Sequence, residues 1–94
     1  MIFYGVFTFT RGPEDGPEAL LRIEETPQAA IAWMARFFLF RAYGAIETET
    51  LKRTLDFLDK LLAEARIDVE VEAEGSVFFV RPVTKEELEE MGDV

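Results

Sequence analysis

The first stretch of the chain, Ile2 to Thr10, is apolar almost throughout and rich in aromatic and β-branched residues, the pattern of a strand. Phe3, Phe7 and Phe9 fall on one face and Ile2, Tyr4 and Val6 on the other, so both faces are expected to be covered. Gly5 interrupts the run and marks a bulge or the close approach of another backbone. Arg11 to Glu18 (RGPEDGPE) then reads as a turn-rich loop leading to a second strand from about Ala19 to Glu25.

Thr26-Pro27 opens a helix. The threonine oxygen can accept from orphan amides, and proline at the first helical position loses no hydrogen bond. This first helix is expected to run to about Tyr43 and to stop at Gly44. On a helical wheel Trp33, Phe37, Phe40, Ala30, Met34, Phe38 and Ile31 form a very wide apolar arc, and Leu39 and Tyr43 fall on the remaining side beside Gln28 and Arg36. A second helix, from about Glu49 to Ala65 with Thr48 as N-cap, is amphipathic. Leu51, Leu55, Leu58 and Leu62 recur along it, flanked by Phe57 and Leu61, opposite a mixed charged face where Asp56 can pair with Lys60.

From Ile67 the period changes to two: Ile67, Val69, Val71 and Ala73 alternate with Asp68, Glu70, Glu72 and Glu74, as in a half-buried strand. A two-residue turn at Glu74-Gly75 sets Asp68 opposite Arg81, Glu70 opposite Phe79 and Glu72 opposite Val77. Pro82 closes the last strand. Thr84 and Glu87 have capping-box spacing and predict a short helix over Lys85 to Met91, ending at Gly92. The order is β-β-α-α-β-β-α in one α+β domain spanning residues 1–94. We expect a four-stranded, mostly antiparallel sheet with the helix pair on one face and a short C-terminal helix. It is not the β-α-β-β-α-β order of ferredoxin-like domains.

Composition narrows the functions available. At 94 residues the chain has material for one modest core, and an apolar fraction of 49% supplies it. Without cysteine there is no disulfide framework or sulfur-ligated metal, and the N-terminal run lacks the basic region and cleavage site of a signal peptide; a cytoplasmic location is expected. The apolar stretch from Ala29 to Ile46 carries Arg36 and Arg41, each costing roughly 3 kcal/mol at a bilayer centre, which disfavours a membrane span. Nineteen carboxylates against ten cations give a net charge of −9, which disfavours direct nucleic-acid binding and favours basic partners. The absence of Asn, a single Gln and the abundant Glu resemble the bias of thermophile proteins.

With neither His nor Cys, the chain can form no Ser-His-Asp triad, Cys-His pair or His-ligated metal centre. Its glycines are scattered singly, without a phosphate-cradling loop. We therefore expect no catalytic residues, no metal and no cofactor. Glu24-Glu25 and the carboxylates Glu86, Glu87, Glu89 and Glu90 read as solvated, and Glu14-Asp15-Gly16 as a turn without the ligand spacing of an EF-hand.

Arg41 lies between Phe37 and Met34 on the apolar arc. The simpler account is a guanidinium stacked on an aromatic ring or paired with a carboxylate. The functional one is an anionic ligand held between the first helix and the sheet, with Tyr4 and Tyr43 as further polar handles. Ala32, Ala35, Leu39 and Tyr43 put small and apolar side chains on the nominally exposed side of that helix. Either the chain's own second helix or C-terminal segment covers them, or another subunit does. On the last hairpin, Phe79 with Val77 and Arg81 is flanked by Asp68, Glu70 and Glu72, either as a solvated face or as an acid-rimmed patch for a basic protein.

Three readings follow: a non-enzymatic protein–protein interaction module that self-associates as a homodimer; a small-ligand domain or minor enzyme with an anion pocket between the first helix and the sheet; and an acidic inhibitor of a nucleic-acid-binding protein.

Overall fold

A computed structural model of the chain describes residues 1–41, 47–73 and 75–91, with the backbone alone at Arg41. Its elements are β1 (Ile2–Thr10), β2 (Ala19–Glu24), α1 (Pro27–Arg41), α2 (Thr48–Glu64), β3 (Val71–Ala73), β4 (Ser76–Thr84) and α3 (Lys85–Met91), in the expected order. The proposed helix stops at Gly44 and Gly92 lie outside the described residues.

All strand pairings are antiparallel, and the sheet order is β2-β1-β4-β3. The two longest strands occupy the centre and pair from Ile2↔Thr84 to Thr10↔Ser76. Alternation then sorts the side chains. Tyr4 and Val6 of β1, with Phe78 and Val80 of β4, face α1 and α2 and join Ala30, Ile31, Met34, Phe38, Leu58 and Leu61 in the main core. Phe3, Phe7 and Phe9, with Val77, Phe79, Arg81 and Val83, face the other way. Phe7, Val77 and Val83 are buried there too, so both faces of the first strand are covered.

At β2 the pairing shifts between Val6↔Arg22 and Phe7↔Leu20, which makes Leu21 the extra residue of a bulge; Leu21 packs against the helix-side core. Gly5 is next to this irregularity. A Cβ there would sit 2.7 Å from Phe7 Cε2, so the close approach is by a side chain rather than a backbone.

Both outer helices start as their sequences suggest: the Ala29 amide donates to Thr26 Oγ1 at 3.1 Å, and Thr84 and Glu87 exchange both capping-box bonds. Thr48 is not the cap of α2. The backbone is already helical there, Glu47 takes the cap position without a side-chain hydrogen bond, and the Thr48 hydroxyl lies inside the first turn. The charged pair along this helix is Glu49–Arg53 rather than Asp56–Lys60. Leu58 and Leu61 are its buried residues, and Phe57 is exposed.

α2 ends in a Schellman motif: Arg66 N–H donates to Leu61 O and Ala65 N–H to Leu62 O, with Ala65 left-handed at φ 53°. A non-glycine residue in that region costs about 1–2 kcal/mol, and glycine returns about 0.4–1 kcal/mol of that through the freer unfolded chain. Ala65→Gly is therefore expected to stabilise the protein by about 0.5–1 kcal/mol, read as a higher urea midpoint at unchanged m-value.

The third strand is shorter than its alternation suggests. It begins at Val71, not Ile67, although the register Glu72↔Val77 is as expected. Extending that register would put Ile67 opposite Pro82, which has no N–H to donate. Side-chain pairing also draws the segment aside: Arg66 Nε holds Asp68 Oδ1 at 2.7 Å, and Arg11 holds Glu70 at 3.0 Å. Ile67 and Val69 still pack against the core. The turn glycine, Gly75, has φ +78°, which suits a two-residue hairpin; Glu74 lies outside the described residues.

Candidate interaction surfaces

α1 lies over β1 and β2 beside α2 and buries Ala30, Ile31, Met34 and Phe38. Phe40 does not belong to that set, contrary to its place on the apolar arc: it is 83% exposed, and Leu39 is 48% exposed. At 100° per residue Phe40 is about 160° round the helix from Phe38, so only one of the two can face the sheet.

A chain of rings leads from the core to this surface. Phe38 meets Phe78 at 4.8 Å between centroids, Phe37 lies 6.2 Å from Phe38 and 5.7 Å from Phe78, and Trp33 stacks on Phe37 at 5.2 Å and 28°. Trp33, Arg36, Phe37 and Phe40 line a shallow groove of about 350 Å³. Their i, i+3, i+4, i+7 spacing is that of a second apolar stripe beside the buried one. None of the nineteen acids lies on α1, whose charged residues are Arg36 and Arg41. Of the residues expected at an interface, Ala32 and Ala35 are half-buried, with Ala35 against the core; Leu39 is exposed; Tyr43 lies outside the described residues.

The other face of the sheet is aromatic and carries its own arginines. Phe79, half-buried, stacks on Phe7 at 5.5 Å and meets Phe9 edge-on at 6.1 Å. The Arg81 guanidinium lies 4.3 Å from the Phe7 ring centre and donates to Glu87 Oε2 at 3.1 Å. Arg11 lies 5.6 Å from the Phe9 ring centre and bridges Glu70 and Glu72 at 3.0 and 3.6 Å. α3 rests on this face, where Leu88 and Met91 with Phe7, Leu20, Ile23 and Glu18 line a groove of about 600 Å³. The hairpin's acidic rim is thus internally paired: Asp68 by Arg66, Glu70 and Glu72 by Arg11. Those pairs lower the charge available to steer a basic protein onto Phe79.

Arg81, together with the Thr84 backbone amide, holds the Glu87 carboxyl below its ordinary value. A depressed folded-state pKa adds stability above the unfolded value of 4.5, lost as pH falls through the lowered one. α3 is therefore expected to loosen in acid. The Leu88 methyl resonance should show a step below pH 4.5 that Glu87→Gln lacks.

The residues expected to hold an anion are not assembled by the described structure. Tyr4 is half-buried against the helix-side core, and the Arg41 side chain and Tyr43 lie outside the described residues. A hollow of about 460 Å³ at the start of α1 is lined by Phe3, Ile23, Glu24, Glu25, Thr26 and Ala29, with two carboxylates that oppose an anion. In the β1–β2 loop Asp15 accepts from the Gly12 amide, and no group of carboxylates among the described residues is arranged to hold a metal ion. Among the described residues two carboxylates have displaced titration, Asp68 and Glu87, and both are shifted downward by arginines.

The wheel missed the Trp33–Arg36–Phe37–Phe40 stripe because it sorts residues into one arc and its complement. The signal it could have used is the acid-free run from Pro27 to Arg41 in so acidic a chain. No protein-family model, curated protein sequence or solved structure matches this chain.

Proposed function

We propose that this protein is a non-enzymatic protein–protein interaction module whose first partner is a second copy of itself. The observation that carries the reading is α1, which holds Phe40 in solvent beside the Trp33–Phe37 stack. A small domain has little apolar surface to spare, and association lets it bury more. The rest of the surface suits that role less well. β3 is three residues long and flanked by carboxylates, and β2 carries a bulge and the Arg22–Glu24 pair at 3.2 Å; both devices discourage edge-to-edge pairing. A cytoplasmic setting belongs to the same proposal: it suits a chain without cysteine, and no helix among the described residues is long and apolar enough to cross a membrane. Light scattering after size exclusion tests the reading. A mass of twice the chain at micromolar concentration is expected, and a monomer throughout a dilution series would refute it.

A further inference from the structure

We infer that the second copy docks by an isologous contact, α1 against α1 across a twofold axis, centred on Trp33, Arg36, Phe37 and Phe40. This rests on the self-association proposed above and names its surface and its symmetry. Two charge facts select the occupant and the mode. Each copy carries −9, so two copies repel wherever acidic surfaces meet, yet α1 is free of acids. An α1-to-α1 contact brings together two helices that carry no carboxylate and leaves the acids of both copies on other elements. Apolar complementarity points the same way. The aromatic rings of the second sheet face are already stacked under Arg11 and Arg81 and partly roofed by α3, whereas Phe40 of α1 is 83% exposed. A twofold contact buries the stripe in both copies and closes at a dimer, whereas a head-to-tail contact leaves one stripe exposed and grows without limit. Within the contact each Arg36 can lie over an aromatic ring of the facing helix.

The mode predicts the sign of the salt effect. Apolar rings bring together two copies that repel at long range, so screening tightens the dimer. An arginine stripe seated on acidic surface would loosen with salt instead.

Because the chain has no cysteine, single thiols report the geometry cleanly. Arg36→Cys, near the proposed axis, is expected to oxidise to a covalent dimer, with no larger species, at least about tenfold faster than Lys52→Cys on the exposed side of α2. Phe40→Ser should weaken association about tenfold or more with the circular dichroism spectrum unchanged. If the wild-type protein associates but Arg36→Cys cross-links no faster than Lys52→Cys, the contact lies elsewhere: this inference fails and self-association stands. A dimer that dissociates as salt rises overturns the twofold α1 contact in favour of an acidic surface on the stripe, and a ladder of larger species overturns it in favour of a head-to-tail contact. A wild-type protein that stays monomeric overturns both proposals and leaves the stripe to a foreign partner.

Discussion

Phe38→Ala is expected to remove about 3–5 kcal/mol of folding stability, the range for truncating a buried phenylalanine. Phe40→Ala, two residues on, should change it by less than about 0.5 kcal/mol. The contrast comes from position alone. Phe38 is 3% exposed and packs edge-on against Phe78 at 4.8 Å, tying α1 to a central strand, while Phe40 stands in solvent. A domain of this size holds about 5–15 kcal/mol in total, so the Phe38 variant loses about a fifth of it or more. At about 4–8 °C per kcal/mol its thermal midpoint should fall by roughly 12–40 °C. Thermal unfolding followed by circular dichroism, at a concentration where the wild type is monomeric, checks the pair. A loss below about 1 kcal/mol at Phe38 would mean that α1 is not seated through that ring.

Gly5→Val should cost about 1–3 kcal/mol, through overpacking on the opposite face of the sheet. The new Cβ meets Phe7 Cε2 at 2.7 Å and Leu20 Cδ1 at 3.1 Å. Leu20 lies on an edge strand and can give way. Phe7 cannot turn freely, because Phe79 stacks on it at 5.5 Å and Arg81 lies 4.3 Å from its ring centre. The two sites should therefore be coupled. Phe7→Leu and Gly5→Val together are expected to cost less than the sum of the single changes, a deficit that a double-mutant cycle in urea would measure. Strict additivity would place the strain somewhere other than the Phe7 ring.

What the sequence discloses here is local. The Thr26 cap, the Thr84–Glu87 box and the two-residue hairpin are each written within a few residues, and each forms. The covering of both faces of β1 is legible from Phe3, Phe7 and Phe9 against Tyr4 and Val6. The pairing of β1 with β4 is not, because it joins the two ends of the chain and no local signal sets strand order. The length of β3 depends on Pro82, fifteen positions after Ile67 in sequence and meaningful only once the hairpin register is known. The arginine clamps escape for a similar reason: Arg11 reaches Glu70 and Glu72 across strands that are far apart in sequence. As for the candidate surface, Leu39 was legible as exposed. Phe40 was not, since a helix apolar nearly all round does not announce which of its stripes the sheet will take.

On the proposed reading α1 is a helix with two tasks. One stripe anchors it to the sheet and the other offers aromatic surface without acids, while the carboxylates lie on other elements. Two substitutions at neighbouring positions can then separate folding from association, which is rarely possible when one hydrophobic face serves both.

Light scattering of the wild-type protein after size exclusion, over a dilution series at low and at high salt, tests this most directly. The account predicts a dimer at micromolar concentration whose share grows as salt screens the −9 charge on each copy. A monomer at every concentration and salt level would contradict it.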